Sequence, residues 1–312
     1  SPYIYTIVTS GNTCVVADTT GTIVVEPVHT ITLEPGSVTD QSVCVNTAIT
    51  PIVYTLGGGA NNVTVTGLPA GVNYVVAGNI VTISGIPTTT LPSPLFSYSV
   101  VTTGNTCLVA NASGTIKVNP YPVPMFAVDK PGYCIPNAVV KFNNSSTVSD
   151  GSSMTYTWNF GEPLSGGANT STGTSPSHWY SGIGPFSVNL SVRSGAVLTP
   201  SGIGCVHDTT IVVNNIHPQP KADFSINKPS ICIGDDVTFT DLSDGKDGSI
   251  NQWNWDLGDG SIRTTNTVTY TYTDTITFNV KLYTINTPHG CNSDTITKQF
   301  TVYPYPHVNA GP

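Results

Sequence analysis

Residues 253–260 read WNWDLGDG, and residues 268–283 read VTYTYTDTITFNVKLY. In the first stretch Trp253, Trp255 and Leu257 fall on one side of an extended chain and Asn254 and Asp256 on the other. Phe278, Val280 and Leu282 repeat that alternation in the second. A period of two is the mark of a strand with one buried face, and no window of helical period competes with it. The run VNYVVAGNIVTI at 72–83 adds a hairpin signal, with Gly78-Asn79 between two β-branched stretches. Short strands separated by Gly, Pro and Asn clusters predict an all-β chain of immunoglobulin-like sandwiches.

Self-similarity then sets the organisation. Residues 5–27, YTIVTSGNTCVVADTTGTIVVEP, match residues 98–120, YSVVTTGNTCLVANASGTIKVNP, without a gap, so Cys14 maps to Cys107 and Gly21 to Gly114. A second kind of repeat follows. YTWNFG at 156–161 and WNWDLGDG at 253–260 each come after one cysteine (Cys134, Cys232) and before a strand pattern and another (Cys205, Cys291). The expected domains are 1–27, the end of one repeat; 28–120; 121–218; 219–306; and 307–312, the start of another. Proline alternates at the junctions in NPYPVP (119–124), HPQP (217–220) and YPYP (303–306). These linkers read as short and semi-rigid, and the array as an extended rod.

Composition bounds the function. At 312 residues the chain suits about two to four domains of roughly 100 residues. Charged residues are only 9%, so Thr, Ser, Asn and Gly carry the surface. Ten Lys and Arg against 18 Asp and Glu give a net charge of −8, with no basic stripe to meet phosphates, which excludes nucleic acid as a partner. No run approaches the roughly 20 apolar residues of a membrane span, and Ser1 opens on strand-like sequence, so an export signal and anchor are expected outside these residues.

The elements WNWDLGDG and VTYTYTDTITFNVKLY resemble the polycystic kidney disease (PKD) domain, whose hallmark is a Trp-Asp-Phe-Gly-Asp-Gly turn before a long core strand. WNFGEPLSGG (158–167) with SPSHWYSGIGPFSVNLSV (175–192) is similar to a variant of it, departing at Asn159 and at Glu162-Pro163. Residues 28–120 resemble the PKD-like repeats of Bacteroidota through SVCVNTAITPIVYTLGG, the run from Val63 to Pro87 and GTIKVNP. Arrays mixing both kinds resemble giant adhesins and gliding-associated proteins exported by type IX secretion. That resemblance implies an outer-surface, non-catalytic stalk whose partners are neighbouring domains, surface glycans or lateral copies of itself. The alternatives are a glycan- or surface-binding module, or an accessory region of a secreted hydrolase. The runs DTT and DTI also resemble Bacteroidota O-glycosylation sites, with Thr19, Thr209, Thr275 and Thr295 as acceptors.

No catalytic set converges in the sequence. The six histidines are scattered, no nucleophile elbow or CxxC occurs, and His178 reads as a structural residue in a strand. Calcium is the one metal with a candidate set: Asp241, Asp244 and Asp247 in DLSDGKDGS, with Asp259 of the hallmark turn. The simpler reading is that these aspartates build turns. Trp179, Tyr180, Tyr121, Tyr303 and Tyr305 are candidates for a sugar-stacking platform, against packing at domain ends. The seven cysteines fall one early and one late in each complete repeat. In an exported protein that pattern predicts Cys44–Cys107, Cys134–Cys205 and Cys232–Cys291. Each bond would add roughly 4 kcal/mol on the entropic account. Cys14 is then the late cysteine of a repeat whose early one lies upstream.

Overall fold

The computed structural model describes residues 2–11, 13–90, 95–195, 204–308 and 311. Residues 309, 310 and 312 of the expected further repeat lie outside them. Apart from one 3-10 segment, Pro163–Asn169, the described elements are strands. The chain divides into two compact units: Ser1–Val123 with Ser146–Thr155 and Val192–His207, and Pro124–Ser145 with Tyr156–Ser191 and Asp208–Pro312.

In the first unit, eight strands between Thr30 and Asn119 make a two-sheet sandwich. One sheet runs in the order Thr30–Leu33, Ile52–Gly57, Ile80–Gly85, Val72–Ala77; the other Asp40–Cys44, Asn111–Asn119, Leu95–Gly104, Ala60–Thr66. Alternation along Ile52–Gly57 sends Ile52, Tyr54 and Leu56 inward to meet Val81, Ile83, Tyr98, Val100, Ile116 and Val118. Tyr54 and Tyr98 join their hydroxyls at 3.2 Å inside this core. The Gly78-Asn79 hairpin forms as read: Ala77 pairs with Ile80, and Gly78 takes φ +61° at the first central position.

Pro2–Val8 pairs antiparallel with Asp18–Val24, which reproduces the pairing of Leu95–Gly104 with Asn111–Asn119. Tyr5 lies opposite Gly21 as Tyr98 lies opposite Gly114. In both pairs the tyrosine covers the glycine so closely that an added Cβ would meet it at 2.4 Å. The two tyrosines differ in cover: Tyr98 is 2% exposed and Tyr5 46%. A strand pair alone has one layer, and only a second sheet supplies a core.

The remaining strands build two further sandwiches. Between Phe126 and His217 the sheets are Phe126–Val128, Ala138–Asn144, Ser177–Tyr180; Thr170–Ser171, Met154–Asn159, Phe186–Ser194, Cys205–Val213; and the short pair Tyr133–Cys134 with Ile216–His217. Between Phe224 and Tyr303 they are Phe224–Ile226, Asp236–Asp241, Thr267–Thr271 and Ser230–Cys232, Ile296–Tyr303, Thr277–Thr287, Ser249–Asp256, Ile262–Arg263. The fold is therefore tandem immunoglobulin-like β-sandwiches.

The two cores share one design. A buried Trp packs edge-on to a Phe, Trp158 on Phe126 at 4.9 Å and Trp255 on Phe224 at 5.1 Å. Its indole N–H still needs an acceptor, and donates to Gly173 O at 2.9 Å and Thr265 O at 2.8 Å respectively. Two residues after the Trp comes Phe160 or Leu257, whose carbonyl accepts the hydroxyl of Tyr180 (2.8 Å) or Tyr272 (2.9 Å). The next residue, Gly161 or Gly258, has φ +75° or +86°, a conformation that strains any side chain, and an added Cβ would meet backbone of the neighbouring strand at 2.5 Å or 3.0 Å.

Tyr272→Phe removes the hydroxyl and leaves the Leu257 carbonyl without its partner in a closed core. We expect a loss of about 1–3 kcal/mol in urea unfolding, against less than about 0.5 kcal/mol for the exposed Tyr305→Phe.

Candidate functional site

Strand geometry decides how the cysteines pair. Asp40–Cys44 runs parallel to Asn111–Asn119 with Cys44 opposite Asn119, whereas Cys107 lies in the turn before that strand begins. Nine residues of strand span about 26 Å. A disulfide needs Cα atoms about 4.4–6.8 Å apart. Cys44–Cys107 is thus ruled out by the fold. In the third sandwich, Cys232 sits opposite Tyr303 at the end of Ile296–Tyr303, and Cys291 precedes the start of that strand. Cys134 lies opposite His217, and Cys205 opens the strand that leads toward it. All three expected bonds are corrected for the same reason: early and late cysteines occupy opposite ends.

The observed bonds are Cys44–Cys205, with Cα atoms 5.7 Å apart, and Cys134–Cys291, at 5.6 Å. Each joins the early cysteine of one repeat to the late cysteine of the next, across 161 and 157 residues. Loops that long are worth roughly 5 kcal/mol each on the entropic account. Cys107 and Cys232, both partly buried, are outside these bonds.

The hallmark turn has a structural use for its acid. Asp256 Oδ1 accepts the Gly258 amide at 2.9 Å, and Asn159 Oδ1 accepts the Gly161 amide at the same distance. The departure at Asn159 is silent because the turn needs an acceptor oxygen, which an amide supplies as well as a carboxylate. At the next acidic position, Asp259 accepts from Ser261 N (2.9 Å) and the Tyr270 hydroxyl (2.8 Å). Glu162, buried, takes the same role with longer reach: its oxygens accept from Ser181 N at 3.0 Å and Ser181 Oγ at 2.8 Å, and meet His178 Nε2 at 2.9 Å. Burial pushes the Glu162 carboxyl up, but the Ser181 and His178 hydrogen bonds outweigh it and hold it below the ordinary range. His178 stacks on Phe160 at 4.5 Å and is itself buried, so it reaches no substrate.

The proposed calcium aspartates do not converge. Asp241 accepts from Ser243 N and the Trp253 indole, Asp244 binds Lys246 at 2.8 Å, and Asp259 is held in its own turn. Asp247 instead meets His217 Nδ1 at 2.7 Å, with His289 Nε2 at 3.8 Å. Among the described residues this His217, Asp247, His289 group is the one trio of metal-ligating side chains brought together. Its two rings are stacked, however, with centroids 3.4 Å apart and planes 16° from parallel. A metal binds imidazole in the ring plane, so an ion in one plane lies far out of the other. In this geometry the trio is held by the one His217–Asp247 hydrogen bond and the ring stack, and sequence spacing gave no hint of it.

The other candidates scatter. Thr19, Thr275 and Thr295 are exposed, while Thr209 is half-buried in the Cys205–Val213 strand. Tyr180 is fully buried and leaves the proposed sugar platform. Trp179 is half exposed with its indole tied to Pro136 O at 2.7 Å, Tyr121 meets the edge of His207, and Tyr305 bonds Asp235 at 3.2 Å; Tyr303 stands exposed. A shallow furrow of about 330 Å³ between Trp255, Ile262, Lys281 and Tyr283 holds the Asp256–Lys281 pair at 3.3 Å.

A repeated Trp turn, its acid and its Tyr define a class of extracellular-type sandwich module. Residues 120–201 and 217–302, more than half of the chain, match the PKD domain family, and the chain belongs to it. A stretch of 126 residues is 32% identical to the pre-pro-metalloprotease PrtV of Vibrio cholerae serotype O1, covering 40% of this chain and 12% of that protein. The PKD1 domain of the V. cholerae metalloprotease PrtV is 27% identical over 27% of this chain and 98% of its own, with a TM-score of 0.24. A three-immunoglobulin fragment of titin, I67–I69, is similar in fold at a TM-score of 0.51 and 9% identity, over 91% of this chain and all of that one.

Glu162 gives the turn a pH dependence of known sign. Its folded pKa is depressed, so its stabilisation is present above the unfolded value, about 4.3–4.5, and is lost as pH falls through the folded value. We expect Glu162→Gln to cost about 1–3 kcal/mol at pH 7 and the difference from wild type to shrink steadily below about pH 4, as read by denaturant unfolding across pH.

Proposed function

We propose that this chain is a non-catalytic spacer segment of a large secreted or cell-surface protein, with repeats at 28–120, 121–218 and 219–306 in tandem. The observation that carries the reading is the pair of disulfides that bind each repeat to the next and not to itself. Such bonds add nothing to a binding pocket or a catalytic centre. They do limit how far repeats can part under load, which is what a stalk requires. Proline at the junctions supports the same reading by restricting the linkers. Disulfides persist in oxidising surroundings, which supports an extracellular location.

The mixture of PKD and PKD-like repeats resembles Bacteroidota surface proteins exported by type IX secretion, and on our reading the segment stands outside the outer membrane, holding a distal domain away from the cell. The second reading, an accessory region of a secreted hydrolase, is favoured by the likeness to the PKD region of a metalloprotease. Binding of the isolated segment to a glycan array or to protease substrate would move the balance to it.

Pulling the chain by its ends separates the spacer reading from the others. With both bonds closed, the shortest covalent path from Cys44 to Cys291 crosses both disulfides and about 71 residues between Cys134 and Cys205, or roughly 250 Å fully stretched, against roughly 850 Å when reduced. Single-molecule force extension should show a gain of roughly 600 Å in contour length on adding reductant. Equal lengths in both conditions would sink the proposal.

A further inference from the structure

The two observed bonds follow a rule whose next applications are visible in the residues left over. Each early cysteine ends a short strand parallel to the last strand of its sandwich: Cys44 opposite Asn119, Cys134 opposite His217, Cys232 opposite Tyr303. The residue after each donates its amide to that same partner's carbonyl, Val45 to Asn119 at 2.9 Å, Ile135 to His217 at 3.0 Å and Ile233 to Tyr303 at 2.8 Å. Cys44 and Cys134, so placed, are both bonded to the following repeat. Cys232 holds the same position and is not.

The late cysteines show the complementary half. Cys205, bonded to Cys44, lies with its sulfur 3.6 Å from the carbonyl of Asn119, the residue that faces Cys44. Cys107 lies with its sulfur 3.5 Å from the carbonyl of Glu26. In the ungapped match of 5–27 to 98–120, Glu26 is the counterpart of Asn119. Cys107 therefore stands where a bonded late cysteine stands, beside the residue that an early cysteine would face.

We infer that the cysteines form a stepped ladder, in which Cys232 bonds the late cysteine of a repeat joined after Tyr303, and Cys107 the early cysteine of the repeat that ends at Pro27. Both partners belong to the same polypeptide, about 160 residues away, as in the two closed steps. Closing a step joins two thiols into one S–S bond and releases two protons and two electrons. A disulfide of a thiol oxidoreductase accepts them and becomes a dithiol.

The test extends the chain in each direction. In one protein a second copy of residues 219–306 follows Pro306; in another, residues 28–97 precede Tyr5 and so complete the first repeat. Alkylation without reduction, followed by peptide mapping, should label Cys232 and Cys107 in the 312-residue chain. In the extended chains Cys232 should instead bond the added copy's late cysteine, and Cys107 the added copy's early one, with Cys44–Cys205 and Cys134–Cys291 retained. A third protein, whose C-terminal copy carries Cys232→Ser, removes the chance of closure within that copy and should form the same bond. The ladder is overturned if the added copy closes on itself, if Cys232 and Cys107 stay fully labelled while the two known bonds form, or if they bond only between separate molecules.

Discussion

The parallel run of each repeat's early strand beside its last strand is the constraint on which the rest depends. It places one cysteine at the outgoing end of the sandwich and leaves the other at the incoming end, a strand length away. Within a single repeat the two sulfurs face opposite neighbours. A bond short enough for sulfur chemistry can then form only across a junction, and the covalent pattern of the chain is a consequence of strand direction.

Inside the sandwiches stability comes from a different source, and it is repeated without being copied. The Trp255, Leu257 and Tyr272 arrangement recurs as Trp158, Phe160 and Tyr180, with each polar atom of the aromatic core given a carbonyl. The acid of the turn changes from Asp259 to Glu162, and its ring partner from Tyr270 to His178. A longer carboxylate with a shorter partner keeps the contact. What is preserved is satisfied hydrogen bonding beside a buried core, where an unpaired oxygen would be costly.

Much of this was legible beforehand, for identifiable reasons. Burial of Trp255, Phe278, Val280 and Leu282 follows from period-two alternation, and the Gly78 turn from its flanking strands. The ungapped match of 5–27 to 98–120 carried down to the Tyr5–Gly21 and Tyr98–Gly114 contacts. The disulfide partners were not legible, because order along the chain does not say which end of a sandwich a residue occupies. Nor was the meeting of His217, Asp247 and His289, which depends on a short strand and two turns that share no spacing pattern. Tyr180 was misplaced since a residue beside an exposed Trp179 points to the opposite face of the strand.

The two disulfide loops interlock, because Cys134 falls between Cys44 and Cys205 and Cys205 falls between Cys134 and Cys291. Consider a protease that hydrolyses one peptide bond anywhere from Cys44 to Cys291. Whichever bond it chooses, one of the two crosslinks still spans the break. Bonds closed within each repeat would have left the junctions as places where one cut severs the molecule. The interlocked pattern has no such place over that range, so a nicked copy stays in one piece.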